Sequence, residues 1–130
     1  MNARQVLLVA ASVHVSAVFG VAVAQEIKEQ YVQIAQIEID PARLEEYKAA
    51  VREQIETAIR LEPGVLVLYA VSEKDNPTYI RVFEVYSSTE AYRAHLEMPH
   101  FKKYKTVTEN MVKSLNLVQT DPLMLGAKAR

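Results

Sequence analysis

The sequence predicts one small α+β domain built in the order β-α-β-β-α-β. Three observations carry this. Short runs at Tyr31–Ile39, Val65–Val71, Thr78–Tyr86 and Ser114–Thr120 have the length and apolar content of strands. Two longer segments, after the first and third runs, repeat apolar residues every three or four positions, as helices do. Proline, glycine and aspartate mark the joints.

In the first strand Tyr31, Gln33, Ala35, Ile37 and Ile39 share one face, and Val32, Ile34, Gln36 and Glu38 the other. Both faces mix apolar and polar residues, which suits a sheet covered by helices on one side and a partner on the other. Asp40-Pro41 starts the first helix, with Asp40 as N-cap and Pro41 in the first turn. Leu44, Tyr47, Val51, Ile55 and Ala58 form its apolar stripe, and Pro63-Gly64 ends it. Val65–Val71 is a continuous apolar run, too short for a helix. With Thr78–Tyr86 it reads as an antiparallel hairpin around the polar segment Glu73–Pro77. Ser87 and Glu90 stand in the reciprocal positions of a capping box. The helix that follows carries Tyr92, His95 and Leu96 and is interrupted by Pro99. A second segment, from about His100 to Lys113, has the stripe Phe101, Tyr104, Val107 (or Thr108) and Met111. Ser114–Thr120 is the last strand, closed by Asp121-Pro122. This is the split, ferredoxin-like order, with helices on one face of an antiparallel sheet. Apolar side chains on the other face need cover, and a second copy of the chain is the simplest.

The first 24 residues read differently. Arg4 is the only charge before Glu26, an apolar stretch follows, and Ala22-Val23-Ala24 has the small-x-small form of a cleavage site. We expect residues 1–24 to be a signal peptide and residues 25–130 an exported domain, periplasmic or secreted, with no stable membrane association after cleavage. The competing reading is an uncleaved anchor, since the apolar run is about the minimum length for a span. Gln25, not Cys, follows the expected cut, which argues against a lipoprotein.

Composition excludes some chemistry. The 130 residues carry a net charge of -1, and removing Arg4 leaves 14 basic against 16 acidic residues, a net of -2. No basic field argues for nucleic acid. There is no cysteine, so no disulfide, thiolate nucleophile or thiolate metal ligand. After the expected cleavage only His95 and His100 titrate near neutrality without help.

One stretch is familiar. Pro77–Tyr104 reads PTYIRVFEVYSSTEAYRAHLEMPHFKKY, with His95-Leu96-Glu97-Met98-Pro99-His100-Phe101 at its heart. Upstream stand Pro63-Gly64, Tyr69 and the first strand VQIAQIEIDP. Together these resemble the antibiotic biosynthesis monooxygenase (ABM) family, its quinol monooxygenase-like branch in particular, over about Tyr31–Pro122. The resemblance implies a dimeric α+β barrel, two sheets packed face to face with a cavity between sheet and helices in each subunit. It also implies a cofactor-independent monooxygenase or oxidoreductase acting on a quinol-like or phenolic aromatic, with no metal and no cofactor. The alternative is a non-catalytic, exported dimer that binds a small ligand in the same cavity. Two departures matter. Met98 stands where the family often has Thr, which removes a hydroxyl cap from the next helix. There is no tryptophan, which puts haem degradation, known in a related branch, in doubt.

Chemistry of this kind needs a base, a dry cavity and aromatic contacts. His95, His100 and Glu84 are the candidate catalytic residues. Gln33, Tyr69, Arg81, Tyr86, Tyr92 and Tyr104 are the candidate substrate contacts, with Tyr79 a further ring that could stack. Each has a plainer reading. His100 follows Pro99 and could simply cap a helix, His95 could sit on a solvated face, and the tyrosines could be core. Glu84 could pair with Arg81 or Arg93. His95, Glu97 and His100 are close in sequence, but spacings of two and five do not share one face of a continuous helix. Pro99 leaves their convergence open, and the expectation is no metal.

Overall fold

A computed structural model describes residues 29–129. The expected signal segment lies outside the described residues. The elements are β1 (Tyr31–Ile39), α1 (Leu44–Leu61) after a 3-10 turn at Pro41–Arg43, β2 (Val65–Ser72), β3 (Tyr79–Tyr86), α2 (Thr89–Glu97), α3 (Pro99–Thr108) and β4 (Val112–Thr120). The four strands form one antiparallel sheet in the order β2-β3-β1-β4. This is the expected α+β, ferredoxin-like arrangement.

Local chemistry accounts for the joints. Asp40 Oδ1 accepts from the Ala42 amide at 3.0 Å and opens the first helical turn. Tyr47 and Ala58 on the α1 stripe are fully buried. Pro63 restricts the residue before it to extended backbone. Glu62 accordingly leaves the helix with φ -107 and ψ 103. Gly64 is needed for space. A Cβ there would lie 2.6 Å from the Ala91 Cβ, because the first turn of α2 packs directly on it.

Two expected boundaries move. The N-cap of α2 is Ser88, whose Oγ accepts from the Ala91 amide at 3.1 Å. Ser87 is tied elsewhere, its amide donating to Gly64 O at 2.9 Å, so the Ser87–Glu90 capping box does not form. The last helix stops at Thr108 rather than near Lys113. Met111 O accepts from the Asp40 amide, and Val112 already pairs with Ile39, so sheet pairing claims residues that continue the helical pattern. Of the pair Val107 and Thr108, Thr108 is the buried one. Met98 provides no side-chain cap to α3, as its methyl thioether dictates.

Register sets the two faces of the sheet. Glu84 lies opposite Gln33 on one side and Leu68 on the other, and Gln33 lies opposite Gln119. This row faces the helices. The other face carries Ile34, Val67, Tyr69, Phe83 and Val118, with Gln36, Arg81 and Asn116 toward one end. Tyr69 and Val71 there are 63% and 60% exposed.

Candidate functional site

A cavity of about 300 Å³ lies between sheet and helices. Gln33, Ala35, Ile37, Val82 and Glu84 form its floor, and Leu115 and Leu117 of β4 its rim. Gln54, Tyr92, His95, Phe101 and Tyr104 hang over it from the three helices. Most of the wall is apolar, with a few converging polar groups, the usual constitution of a small-molecule site.

Two carboxylates, the half-buried Glu84 and the buried Glu62, define the polar parts. On the floor, Glu84 Oε1 accepts from the Tyr86 hydroxyl at 2.6 Å, and Glu84 Oε2 accepts from Gln33 Nε2 at 3.0 Å. Gln33 Oε1 accepts in turn from Tyr31, and Tyr31 from Gln119. Burial pushes the Glu84 carboxyl above its ordinary value, and the bonds from Tyr86 and Gln33 only partly oppose it. Burial likewise raises the Tyr86, Tyr92 and Tyr104 hydroxyls, which stay protonated donors. Tyr104 shares a 2.7 Å bond with Tyr47, and Tyr92 stacks on Tyr31 at 4.3 Å.

Above the floor, Glu62 Oε2 sits 2.8 Å from His95 Nδ1 and 2.7 Å from His100 Nε2. His95 is 1% exposed. Its ring lies against Phe101 at 4.7 Å and Tyr86 at 5.4 Å. Its other nitrogen, Nε2, is 3.1 Å from Gln54 Nε2. For a neutral ring one proton arrangement satisfies both bonds: Gln54 donates to Nε2, and Nδ1–H donates to Glu62. The basic lone pair of His95 is thereby turned toward Gln54, beside the cavity.

The structure sorts the candidates. Gln33, Glu84, Tyr92, His95 and Tyr104 line the cavity, and Tyr86 supports Glu84 from beside it. His100 reaches the site only through Glu62. Tyr69 and Arg81 do not belong to it, because both side chains project from the opposite face of the sheet, as does Tyr79. Arg81 instead pairs with Glu73 at 3.2 Å and lies over the Tyr79 ring. It cannot meet Glu84, three residues away but on the other face. Glu97 is exposed and pairs with Lys102 at 2.9 Å, so the carboxylate beside the histidines is Glu62.

Glu62 and Gln54 are the site residues that sequence reasoning missed. Gln54 is buried in α1, three residues after Val51 and four before Ala58, so the spacing of the stripe pointed to it although its polar side chain did not. Glu62 carried a signal: a carboxylate directly before Pro63-Gly64 is forced out of the helix at a place where the chain turns inward. The donor set of Glu62, His95 and His100, all within 4.8 Å of one another, is one that divalent transition metals accept. The separations of 2.7 and 2.8 Å are those of direct hydrogen bonds between the carboxylate and the rings.

The fold and this arrangement place the molecule among small α+β proteins with an aromatic-lined cavity between sheet and helices. The chain belongs to the antibiotic biosynthesis monooxygenase family, whose model matches residues 30–107. It is similar to the solved "putative antibiotic biosynthesis monooxygenase" of Bacteriodes thetaiotaomicron VPI-5482, with 48% identity over 80% of this chain and 99% of that one, at a TM-score of 0.76. A "putative monooxygenase" from Lactobacillus acidophilus NCFM shares 30% identity over 71% of this chain and 44% of that one, at 0.70. A family protein from Nitrosomonas europaea shares 25% over 74% and 92%, also at 0.70. No match is found among curated proteins.

Proposed function

We propose that this ABM-family protein is an exported, homodimeric, cofactor-independent monooxygenase that oxidises a quinol-like or phenolic aromatic. The observation that carries the reading is His95, held by Glu62 in one tautomer at the wall of an apolar cavity, with Glu84 on the floor beneath.

A bound phenol takes the place of the Gln54 amide at His95 Nε2 and gives up its proton there. The anion is rich enough in electrons to reduce O2 directly. One oxygen atom enters the ring and the other leaves as water, so that a naphthohydroquinone plus O2 yields a hydroxynaphthoquinone plus H2O. Glu84, whose burial favours its neutral form, is placed to return a proton to the reduced oxygen. Phe101 and Tyr92 give the ring flat apolar contacts, and Gln33 and Tyr104 offer hydrogen bonds to its oxygens.

The exposed apolar half of the sheet, with Tyr69 and Val71 at its edge, supports a second copy packed against it. Residues 1–24 support export to the periplasm or beyond.

The test is O2 uptake with a reduced naphthoquinone by wild type, His95→Ala and His100→Ala. Loss of roughly 10²–10⁴-fold in His95→Ala is expected. Equal rates in all three would remove the histidines from the reaction. Saturable ligand binding with neither O2 uptake nor product would make the protein a binding module instead.

A further inference from the structure

Glu62 does more than orient one ring. The same oxygen accepts from both imidazoles, at 2.8 and 2.7 Å. Among the described residues, Glu62 makes no other side-chain hydrogen bond. One negative charge therefore faces two groups that can each become cationic, with ring centroids 6.2 Å apart. It balances one imidazolium well and two poorly.

The two rings also face different spaces. His95 lines the inner cavity. His100, the more exposed ring with 12% of its side chain accessible against 2% for His95, lines an adjoining small hollow beside Glu53 and Lys103. Glu62 lines neither and lies between them.

Resting on the reading of His95 as the base, we infer that Glu62 couples the two histidines into a proton-exchange relay, with His95 as the inner port and His100 as the outer one. The relay starts with one extra proton in the cluster, on His100. The ligand O–H bond breaks, its electron pair stays on the ligand oxygen, and the proton binds His95 Nε2. His95 is now the cation that claims the Glu62 charge. His100 then releases its Nδ1 proton to solvent and keeps its Nε2–H bond to Glu62. One proton enters and one leaves, none crosses the carboxylate, and the net charge of the cluster is unchanged. The reverse exchange resets it when His95 returns its proton to the product. His100 touches no ligand and acts through Glu62, as a positioning residue.

Other groups around the cluster would not replace this coupling. Glu84 and Tyr86 face His95 from β3, but they bond each other and Gln33. Tyr92 on α2 and Tyr104 on α3 are protonated hydroxyls. Glu53 on α1 is held by Lys103 of α3 at 2.6 Å.

The deciding measurement is a pH titration of the full chain followed by imidazole ¹⁵N NMR. Protonation of one ring should lower the proton affinity of the other at least tenfold, giving two linked steps. In His100→Gln, whose amide can still donate to Glu62, His95 should titrate in a single step shifted to higher pH. Should that variant fail to fold, the wild-type curves decide alone. Two independent single-site curves would overturn the relay, as would a stoichiometric divalent metal found bound to the purified protein. In O2 uptake with a reduced naphthoquinone, His100→Gln should lose tenfold or more in kcat at unchanged KM, restored by imidazole in the buffer. A loss that no buffer restores would mark His100 as structural and overturn the relay. Absence of O2 uptake by wild type would sink the proposed reaction, while the titration would still decide the coupling.

Discussion

Glu84, on the floor of the cavity, and Glu62, behind the histidine on its wall, are held in opposite ways. Glu84 is surrounded by neutral donors, a phenol and an amide, so burial dominates and its neutral form is favoured. Glu62 is the less exposed of the two, at 8%, but its partners are two imidazoles that can carry a balancing charge. The same side chain thus meets neutral donors on the sheet and two titratable rings under the helices.

The sharpest way to break this contrast is to delete each carboxylate. Glu62→Ala should be the most damaging, because it strands the N–H groups of a buried and a half-buried imidazole at once. The expected loss is roughly 3 kcal/mol or more in urea unfolding. A loss under 1 kcal/mol would mean that water serves the histidines as well as Glu62 does.

Gly64→Ala tests what holds Glu62 in place. The added methyl would meet the Ala91 Cβ at 2.6 Å, backbone-borne atoms on both sides, so the first turn of α2 must move away. A cost of about 1–3 kcal/mol is expected. His95, one turn further along α2, should also shift its NMR signals. An unperturbed His95 would show that α2 is not the element that sets its position.

Glu84→Gln should do the reverse of Glu62→Ala. A carboxyl with a raised native value contributes stability that is present below its unfolded value and lost as pH rises through the native one. Glutamine stays neutral throughout. The variant should therefore match wild type in acid and become the more stable of the two near pH 7, by a few degrees in Tm, or roughly 1 kcal/mol for a domain of this size. A difference that stays constant with pH would show that Glu84 is not strained by burial. O2 uptake in the same variant should fall, since the amide cannot return the proton.

How much of this was legible beforehand follows from what each feature depends on. Strands and helices were readable because their signals are local: alternation in Tyr31–Ile39, the Leu44–Ala58 stripe, the Asp40-Pro41 start. His95 and Glu84 were readable as candidates because few residue types can carry such chemistry, and both line the cavity. The face a strand residue takes depends on register, and Arg81 and Glu84, three apart, necessarily point opposite ways once the strand is regular. Pairing Glu84 with Arg81 overlooked that period. Pro63-Gly64 marked where Glu62 leaves the helix, but its partners depend on α1, α2 and α3 meeting, which no local pattern encodes. Thr108 and Met111 show the same limit, since the helical stripe ran on past the point where pairing with β1 takes over.

Arg81 gives the smallest expected effect and a clean control for the two faces. Its partner Glu73 is half exposed, and such pairs contribute little because water screens them and the side chains lose freedom in forming them. Arg81→Gln should change stability by less than about 0.5 kcal/mol. It should leave the O2-uptake kinetics with a reduced naphthoquinone unaltered, because the sheet separates this side chain from Glu84 and His95. A substantial rise in KM would show that the ligand reaches both faces of the sheet. The division between the face that floors the cavity and the opposite face, proposed to meet a second copy, would then have to be abandoned.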